Sequence, residues 1–294
     1  MNNQLKNIIL APMNLLYQLS PKLTLNILYR LKMKQKLNLK KPINYNEKLQ
    51  WIKLYEKNDL MPICADKYTV RQYVQNKGCG EILNELIWEG YNPDEIPFST
   101  LPEKFVIKVT HGAGFNIICK NKADLDKKKV IKQLKKWLKT KYIRSYGEWF
   151  YGVIKPRIII EKFLSEDGET VPVDYKMFYF NNYKGRKDVA FTVIDTDRFS
   201  QHKRKIYDDE WNLMKDAFIT FPYDEKRDFE KPKHYDKMVK YAQILGEPFK
   251  HARVDFYVIN SQIYFGEITF TNGAGFAKIA PEKLNEEMGS WIKL

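Results

Sequence analysis

The stretch RVDFYVINSQIYFGEITF, residues 253–270, alternates polar and apolar side chains on both sides of a short polar break. That is the pattern of two strands joined by a tight loop. A three-residue loop at Asn260, Ser261 and Gln262 sets Ile259 against Ile263, Tyr257 against Phe265 and Asp255 against Glu267. One face then carries Arg253, Asp255, Tyr257, Glu267 and Thr269; the other carries Val254, Phe256, Val258, Tyr264, Ile268 and Phe270. A two-residue loop instead places Asp255 diagonal to Glu267. Directly opposed residues have Cβ atoms about 4.5–5.5 Å apart, and like charges there are destabilising. Two carboxylates so placed invite a dication, and oxygen ligands suit Mg²⁺ shared with nucleotide phosphates. The plainer alternative is a pair of solvated acids on an edge hairpin.

Upstream, FVIKVTHGAGFNIICK (105–120) joins two apolar strands through His111, Gly112, Ala113 and Gly114. Glycines let backbone N–H groups approach phosphate oxygens closely. The spacing is neither a P-loop nor a dinucleotide fingerprint, and a plain hairpin turn is its other reading. Lys108 interrupts the first strand, and a lysine is almost never buried unpaired, so a phosphate facing it supplies the partner. RIIIEKFL (157–164) ends an apolar strand at Glu161 and exposes backbone over Lys162–Leu164, an arrangement suited to an adenine ring. Asp174 and Lys176 share a face of the next strand, and Arg198, Lys203, Arg204 and Lys205 form a basic cluster in an apparent loop.

Around these pieces the first forty residues read as helical, broken at Pro12 and Pro21. Further helices fit 44–58, 65–77 (ending at Gly78), 124–141 and 233–246, and strands fit 105–110, 116–120, 157–164, 174–180, 188–194, 253–259 and 263–270. The strands come in hairpin-like pairs, which favours an α+β fold over a doubly wound parallel sheet.

At 294 residues, with 44% hydrophobic and 14% aromatic side chains, the chain can bury a sizeable core and is not a disordered polymer. Three cysteines without C-x-x-C spacing argue for a reducing, cytoplasmic setting and give no zinc signature. No apolar run is long enough to span a bilayer, and the N-terminus does not read as a secretory leader. Of the net charge of +14, residues 1–41 carry +8, and the first carboxylate is Glu47. An acid-free basic stretch rich in Leu and Ile fits the surface of an anionic membrane, or else a pair of helices covering the body with solvated lysines. No motif accompanies the charge to suggest nucleic acid.

In order, the strand lysine, glycine loop, E-x-x-L segment, later acid and R-x-D…E hairpin resemble the ATP-grasp superfamily. LNLKKPINYNEKLQWIKLY, ADKYTVRQYV, LPEKFVIKVTHGAGFNII, KPRIIIEKFL, DYKMFYFN and RVDFYVINSQIYFGEITFTNGAGF are similar to its TupA-like branch, found with teichuronopeptide and surface-polysaccharide genes. The resemblance implies two antiparallel-sheet lobes clamping ATP, about 63–160 and 161–294 within a 63–294 domain, preceded by a basic helical segment, 1–62. It implies nucleotide contacts from Lys67, Lys108, His111, Gly112, Gly114, Glu161, Lys162, Leu164, Asp174 (ribose), Lys176 and Lys203, and Mg²⁺ on Asp255 and Glu267. Thr269 stands where many such ligases have a metal-binding Asn. Lys108 and Arg253 would neutralise the phosphoryl group in transfer, and Asn272, Gly273 and Gly275 would face the acceptor.

The implied reaction is carboxylate–amine ligation through an acylphosphate, joining an amino acid or amine to a uronic acid in capsule or other surface-polysaccharide synthesis. It would take place in the cytoplasm, with peripheral membrane contact through residues 1–41. An ATP-grasp kinase shares the site. A glycosyltransferase using Asp195 and Asp197 as a D-x-D metal site is the rival from another class, against which no βαβ nucleotide half is visible.

Overall fold

The computed structural model describes residues 9–196 and 202–294. Strands β1 (Leu86–Gly90), β2 (Phe105–Val109), β3 (Asn116–Cys119) and β4 (Ile158–Lys162) form an antiparallel sheet in the order β1-β4-β2-β3. Strands β5 (Asp174–Tyr183), β6 (Arg186–Thr196), β7 (Lys203–Asp208), β9 (His251–Ile259) and β10 (Gln262–Thr269) form a second in the order β10-β9-β5-β6-β7. Short strands β8 (Phe218–Ile219) and β11 (Ile279–Ala280) pair separately. The fold is α+β with two antiparallel sheets.

Alternation along each strand explains the burial. In β2, Phe105, Ile107 and Val109 are fully buried and pack with Ile158, Ile160, Val130 and Leu134, whereas Lys108 lies on the opposite face. The larger core joins the second sheet to helices, with Phe178, Phe191, Met238, Ala242 and Phe256 at its centre. The helix Tyr45–Tyr55 starts with a capping box: Asn44 accepts from the Glu47 amide, and Glu47 answers at the Asn44 amide.

Several expected elements shift. The helix expected over 65–77 is two, Leu60–Ala65 and Thr69–Asn76, because the Asp66 carboxylate accepts from the amides of Tyr68 and Thr69 and starts a new helix. Lys67 therefore sits in a turn. Pro12 lies within the first turn of a helix, Ala11–Leu19, and breaks nothing; Pro21 opens the next, Pro21–Met33. Residues 203–205 belong to strand β7, where Arg204 and Lys205 are buried and paired, so that basic run is not a solvated loop. Among the described residues no helix is long and apolar enough to cross a membrane.

Candidate active site

The β9–β10 hairpin brings Asp255 opposite Glu267, but by a different route from a three-residue loop. The loop has two residues, Asn260 and Ser261, both with positive φ, and Ile259 pairs with Gln262. That register would leave the acids diagonal. A β-bulge between Phe265 and Glu267 inserts Gly266 and restores the pairing. Tyr264 consequently sits opposite Tyr257, and Phe265 pairs with Phe256 and joins the core, reversing their expected positions. Gly266 is required here, since a Cβ would stand 2.9 Å from the Asp255 carbonyl oxygen.

Register then assembles an ion network across the sheet. Asp255 opposes both Glu267 and Lys176, while Asp174 opposes Asp195, which opposes Arg204. Lys176 is buried, its Nζ 2.5 Å from Asp174, 2.8 Å from Asp255 and 3.7 Å from Asp195. Burial alone would lower its pKa, but Asp174 and Asp255 hold it above the ordinary value. Arg253 donates to both Asp255 oxygens at 2.7 Å, to Glu267 Oε1 at 3.0 Å and to Asn272 Oδ1 at 3.0 Å. Glu267 is the partly open member: its side chain is 39% exposed, Thr269 donates to Oε1, and Lys67 stands 4.0 Å from Oε2. Against the cost of burial, Lys67, Arg253 and Lys176 hold its carboxyl down at about 2.

Lys67 also donates to the Gly112 carbonyl at 2.7 Å, so one ammonium joins the glycine loop of the first sheet to the hairpin of the second. Burial depresses its pKa, with Glu267 opposing and Lys108 adding to the fall. In the loop, Gly112 and Gly114 adopt φ of +116° and +77°, open to glycine at no steric cost. His111 is buried, its Nε2 2.8 Å from the Thr140 carbonyl, and burial keeps it neutral by lowering its pKa. Nε2 therefore carries the proton and donates, tying the loop to the segment after the helix Lys127–Leu138.

The cavity between these elements has a volume of about 450 Å³. Lys67, Gly112, Glu148, Tyr151, Arg253 and Glu267 line it together. His111, Thr269 and Gly273 also line it. Glu148 was not singled out in the sequence; it sits in GEWFYG, which carries no recognisable motif. Its Oε1 accepts from Thr271 at 2.5 Å, and burial raises its pKa against the opposing charge of Lys53. Lys53 is fully buried, donates to the carbonyls of Tyr146 and Ala274 at 2.6 and 2.7 Å, and is pushed by burial down to about 7. Spacing within its helix marks Lys53 only as a polar position, and no local signal distinguishes it from a solvated lysine.

Other expected site residues lie outside this cavity. Lys108 and Glu161 share a face of the first sheet on adjacent strands and meet at 2.6 Å. Arg71 takes the other Glu161 oxygen at 3.0 Å, so this carboxylate is occupied by two cations. The backbone expected to be exposed at Lys162 is not: its amide donates to the Glu85 carbonyl and its carbonyl accepts from Asn84 Nδ2. Asn84 and Glu85, which lead into strand β1, supply this cover, and β1 itself, absent from the sequence reading, pairs with β4. Leu164 follows the strand, half-buried. Asp174 and Lys176 are buried within the sheet, and Lys203 begins the edge strand β7. Asn272 supports Arg253, and Gly275 packs on Gln50, whose Nε2 donates to its carbonyl at 2.7 Å. Asp195 ends up inside β6, closed by Arg204 Nε at 2.5 Å; Asp197 and Arg198 lie outside the described residues.

Two antiparallel sheets, one bearing a glycine loop and the other a carboxylate hairpin, with a cation joining them, are the ATP-grasp arrangement. The family model for TupA-like ATP-grasp proteins matches residues 47–293, and the chain belongs to that family. Solved structures that resemble it in fold include an L-amino acid ligase from Bacillus licheniformis, 11% identical over 88% of this chain and 56% of that one, with a TM-score of 0.49. A D-alanine–D-alanine ligase from Bacillus anthracis complexed with ATP is 16% identical over 71% and 55%, with a TM-score of 0.40. The ribonucleotide synthetase purK in its ADP complex is 14% identical over 76% and 50%, with a TM-score of 0.44. The chain spans about half the length of these structures. No curated protein matches the sequence.

Proposed function

We propose that the protein is an ATP-dependent carboxylate–amine ligase that activates a carboxylate as an acylphosphate and captures it with an amine. On this reading the carboxylate belongs to a uronic acid and the amine to an amino acid or similar donor, in the synthesis of capsule or another surface polysaccharide. The observation carrying the proposal is one cavity lined together by the cations Lys67 and Arg253, the glycine loop at Gly112 and the half-buried carboxylate Glu148.

The residues fit a nucleotide polyphosphate. Lys67 is half-buried, with a depressed pKa and only a long contact to Glu267 as its anionic partner, so a phosphate oxygen supplies the charge that this ammonium lacks. They also fit Mg²⁺ held chiefly by phosphates, since that ion needs only one or two protein carboxylates. Of the hairpin pair, Glu267 is the carboxylate that faces the cavity, and both Asp255 oxygens already accept from Arg253. Among the described residues no group of three or more His, Cys, Asp or Glu could hold a metal alone. When bound, the ion would supply charge neutralisation at the phosphate oxygens.

In the reaction a substrate carboxylate oxygen attacks the γ-phosphorus and ADP leaves; the amine nitrogen then attacks the acyl carbon and phosphate leaves. Arg253 and Lys67 stabilise charge on the transferring group from the cavity wall, and Lys108 adds positive potential from the adjacent sheet. The amine arrives as an ammonium and must lose a proton before it attacks. Glu148, which lines the same cavity and whose raised pKa suits it to proton acceptance, is the base for that step.

The test is to supply ATP, Mg²⁺ and a panel of uronic-acid glycosides with free amino acids, then measure ADP, phosphate and an amide of the expected mass. A phosphorylated hydroxyl in place of an amide would make the protein a kinase. Undiminished product from Lys108→Ala and Glu267→Ala would overturn the site.

A further inference from the structure

The two N-terminal helices carry a surface that the cavity does not explain. Twelve large apolar side chains are exposed among the described residues, and six of them fall within residues 9–43: Ile9, Leu15, Leu19, Leu23, Leu31 and Ile43. Exposure runs from 49% at Leu23 to 80% at Leu19. Four-residue spacing puts Leu15 and Leu19 on one face of the helix Ala11–Leu19, and Leu23, Ile27 and Leu31 on one face of Pro21–Met33. The buried face of that second helix is a different one, formed by Thr24, Leu25, Leu28 and Tyr29.

The charge around this row has one sign. Lys22, Arg30, Lys34, Lys36, Lys40 and Lys41 are all exposed, and among the described residues none of them is in an ion pair. The first acid, Glu47, is buried, where it accepts from the amides of Asn38, Ile43 and Asn44. Lys32, also exposed, donates to the Tyr146 hydroxyl and lines the cavity, so the same helix has one side on the site and another on solvent. The match to the family begins only at residue 47, after this surface.

We infer that residues 9–43 dock the protein on an anionic lipid bilayer, with the leucine row entering the headgroup boundary and the lysines meeting lipid phosphates. Charge selects the occupant. A second copy of this chain would bring six like charges against six, and duplex nucleic acid would use the lysines while leaving the leucines in water. An anionic bilayer satisfies both at once. Docking in this way sets the cavity mouth beside the membrane, because Lys32 belongs to the docking helix.

The test is co-sedimentation of the full chain with vesicles of about 40% phosphatidylglycerol in phosphatidylcholine, and with pure phosphatidylcholine, at about 150 mM salt. The chain should pellet with the anionic vesicles only. Replacing Leu15, Leu19 and Leu23 by Gln should weaken partitioning at least about tenfold. Lys34→Glu, Lys36→Glu, Lys40→Glu and Lys41→Glu together should abolish it, at about fivefold per lysine lost. Far-ultraviolet circular dichroism and an unchanged melting temperature show that the variants are folded, as expected for exposed positions. Absence of pelleting, equal pelleting with both vesicles, or indifference to the leucine changes overturns the inference. So does a leucine-dependent dimer, or duplex DNA binding, in a chain that ignores vesicles.

Discussion

Replacing Lys67 by Met separates the stability of the free protein from its affinity for ATP. In the free protein Lys67 makes one good hydrogen bond, to the Gly112 carbonyl, and a 4.0 Å contact with Glu267, while burial lowers its pKa. Desolvation and attraction nearly offset, so the substitution should change unliganded stability by less than about 1 kcal/mol. With ATP bound, the ammonium gains a phosphate partner, and a hydrogen bond between charged groups contributes about 1.5–3 kcal/mol. Its loss should weaken ATP binding by about 30-fold. At an ATP concentration about 100 times Kd, wild-type protein is stabilised by about 2.7 kcal/mol, and the variant at the same concentration by only about 0.9 kcal/mol. At about 2–4 °C per kcal/mol, the ATP-induced rise in melting temperature should fall from roughly 5–10 °C to roughly 2–3 °C. The assay is thermal unfolding with Mg²⁺-ATP and without it, with Lys128→Met, at an exposed helical position, as control. A Lys67→Met variant that keeps the full ATP-induced shift refutes the placement of phosphates beside Lys67, whatever it does to turnover.

Gly266→Val should lower stability by about 1–3 kcal/mol, because its Cβ meets backbone, the Asp255 carbonyl oxygen at 2.9 Å, and the bulge must shift; denaturant titration measures this. Glu148→Gln should leave the ATP-induced thermal shift intact while amide formation falls about 10²–10⁴-fold, the range of a lost general base; equal loss of both would assign Glu148 to the nucleotide instead. His251 is buried and neutral, with Nδ1 at the Tyr179 carbonyl and Nε2 at the Tyr45 hydroxyl, and burial lowers its pKa to about 3. Below pH 6.5 the unfolded chain therefore binds a proton that the folded chain refuses, so stability should fall as pH drops from 6.5 toward 3, by up to about 1.4 kcal/mol per pH unit. A His251→Gln variant should lack that slope between pH 6.5 and 5 in chemical denaturation.

Most strands were legible because each is bounded by a change of period: in β2, Phe105, Ile107 and Val109 alternate with Val106 and Lys108, and one row is fully buried. What escaped has a physical reason in each case. Strand β1 contains LIWEG, all of it half-buried, so neither alternation nor a continuous apolar run marks it. Strand β7 reads KRKIYD, and its charge suggests solvent; only the tertiary placement of Asp195 and Asp228 explains how Arg204 and Lys205 are buried there. The Asp66 turn was hidden because an acid one residue ahead of an amphipathic run fits a helix interior on one side and a cap on the other.

The hairpin shows how far residue spacing reaches. Opposition of Asp255 and Glu267 emerges from the sequence under a three-residue loop, and the structure attains it through a two-residue turn and a bulge. Both routes place the same number of residues between the acids, and that number is all the sequence constrains. The bulge has a consequence that the shorter route lacks. It adds the extra residue at Gly266, beside Asp255, so that Tyr264 and Phe265 exchange faces while Glu267 and Thr269 keep theirs. The polar end of the hairpin can then face the cavity while the apolar end enters the core. Ion partners were the least legible part, since they depend on register between strands distant in sequence. Lys176 and Asp255 are 79 positions apart and meet at 2.8 Å only because β5 lies beside β9. Lys176 is thereby committed to carboxylates within the sheet, whereas Lys67, drawn from a turn and only loosely paired, is free to meet a phosphate.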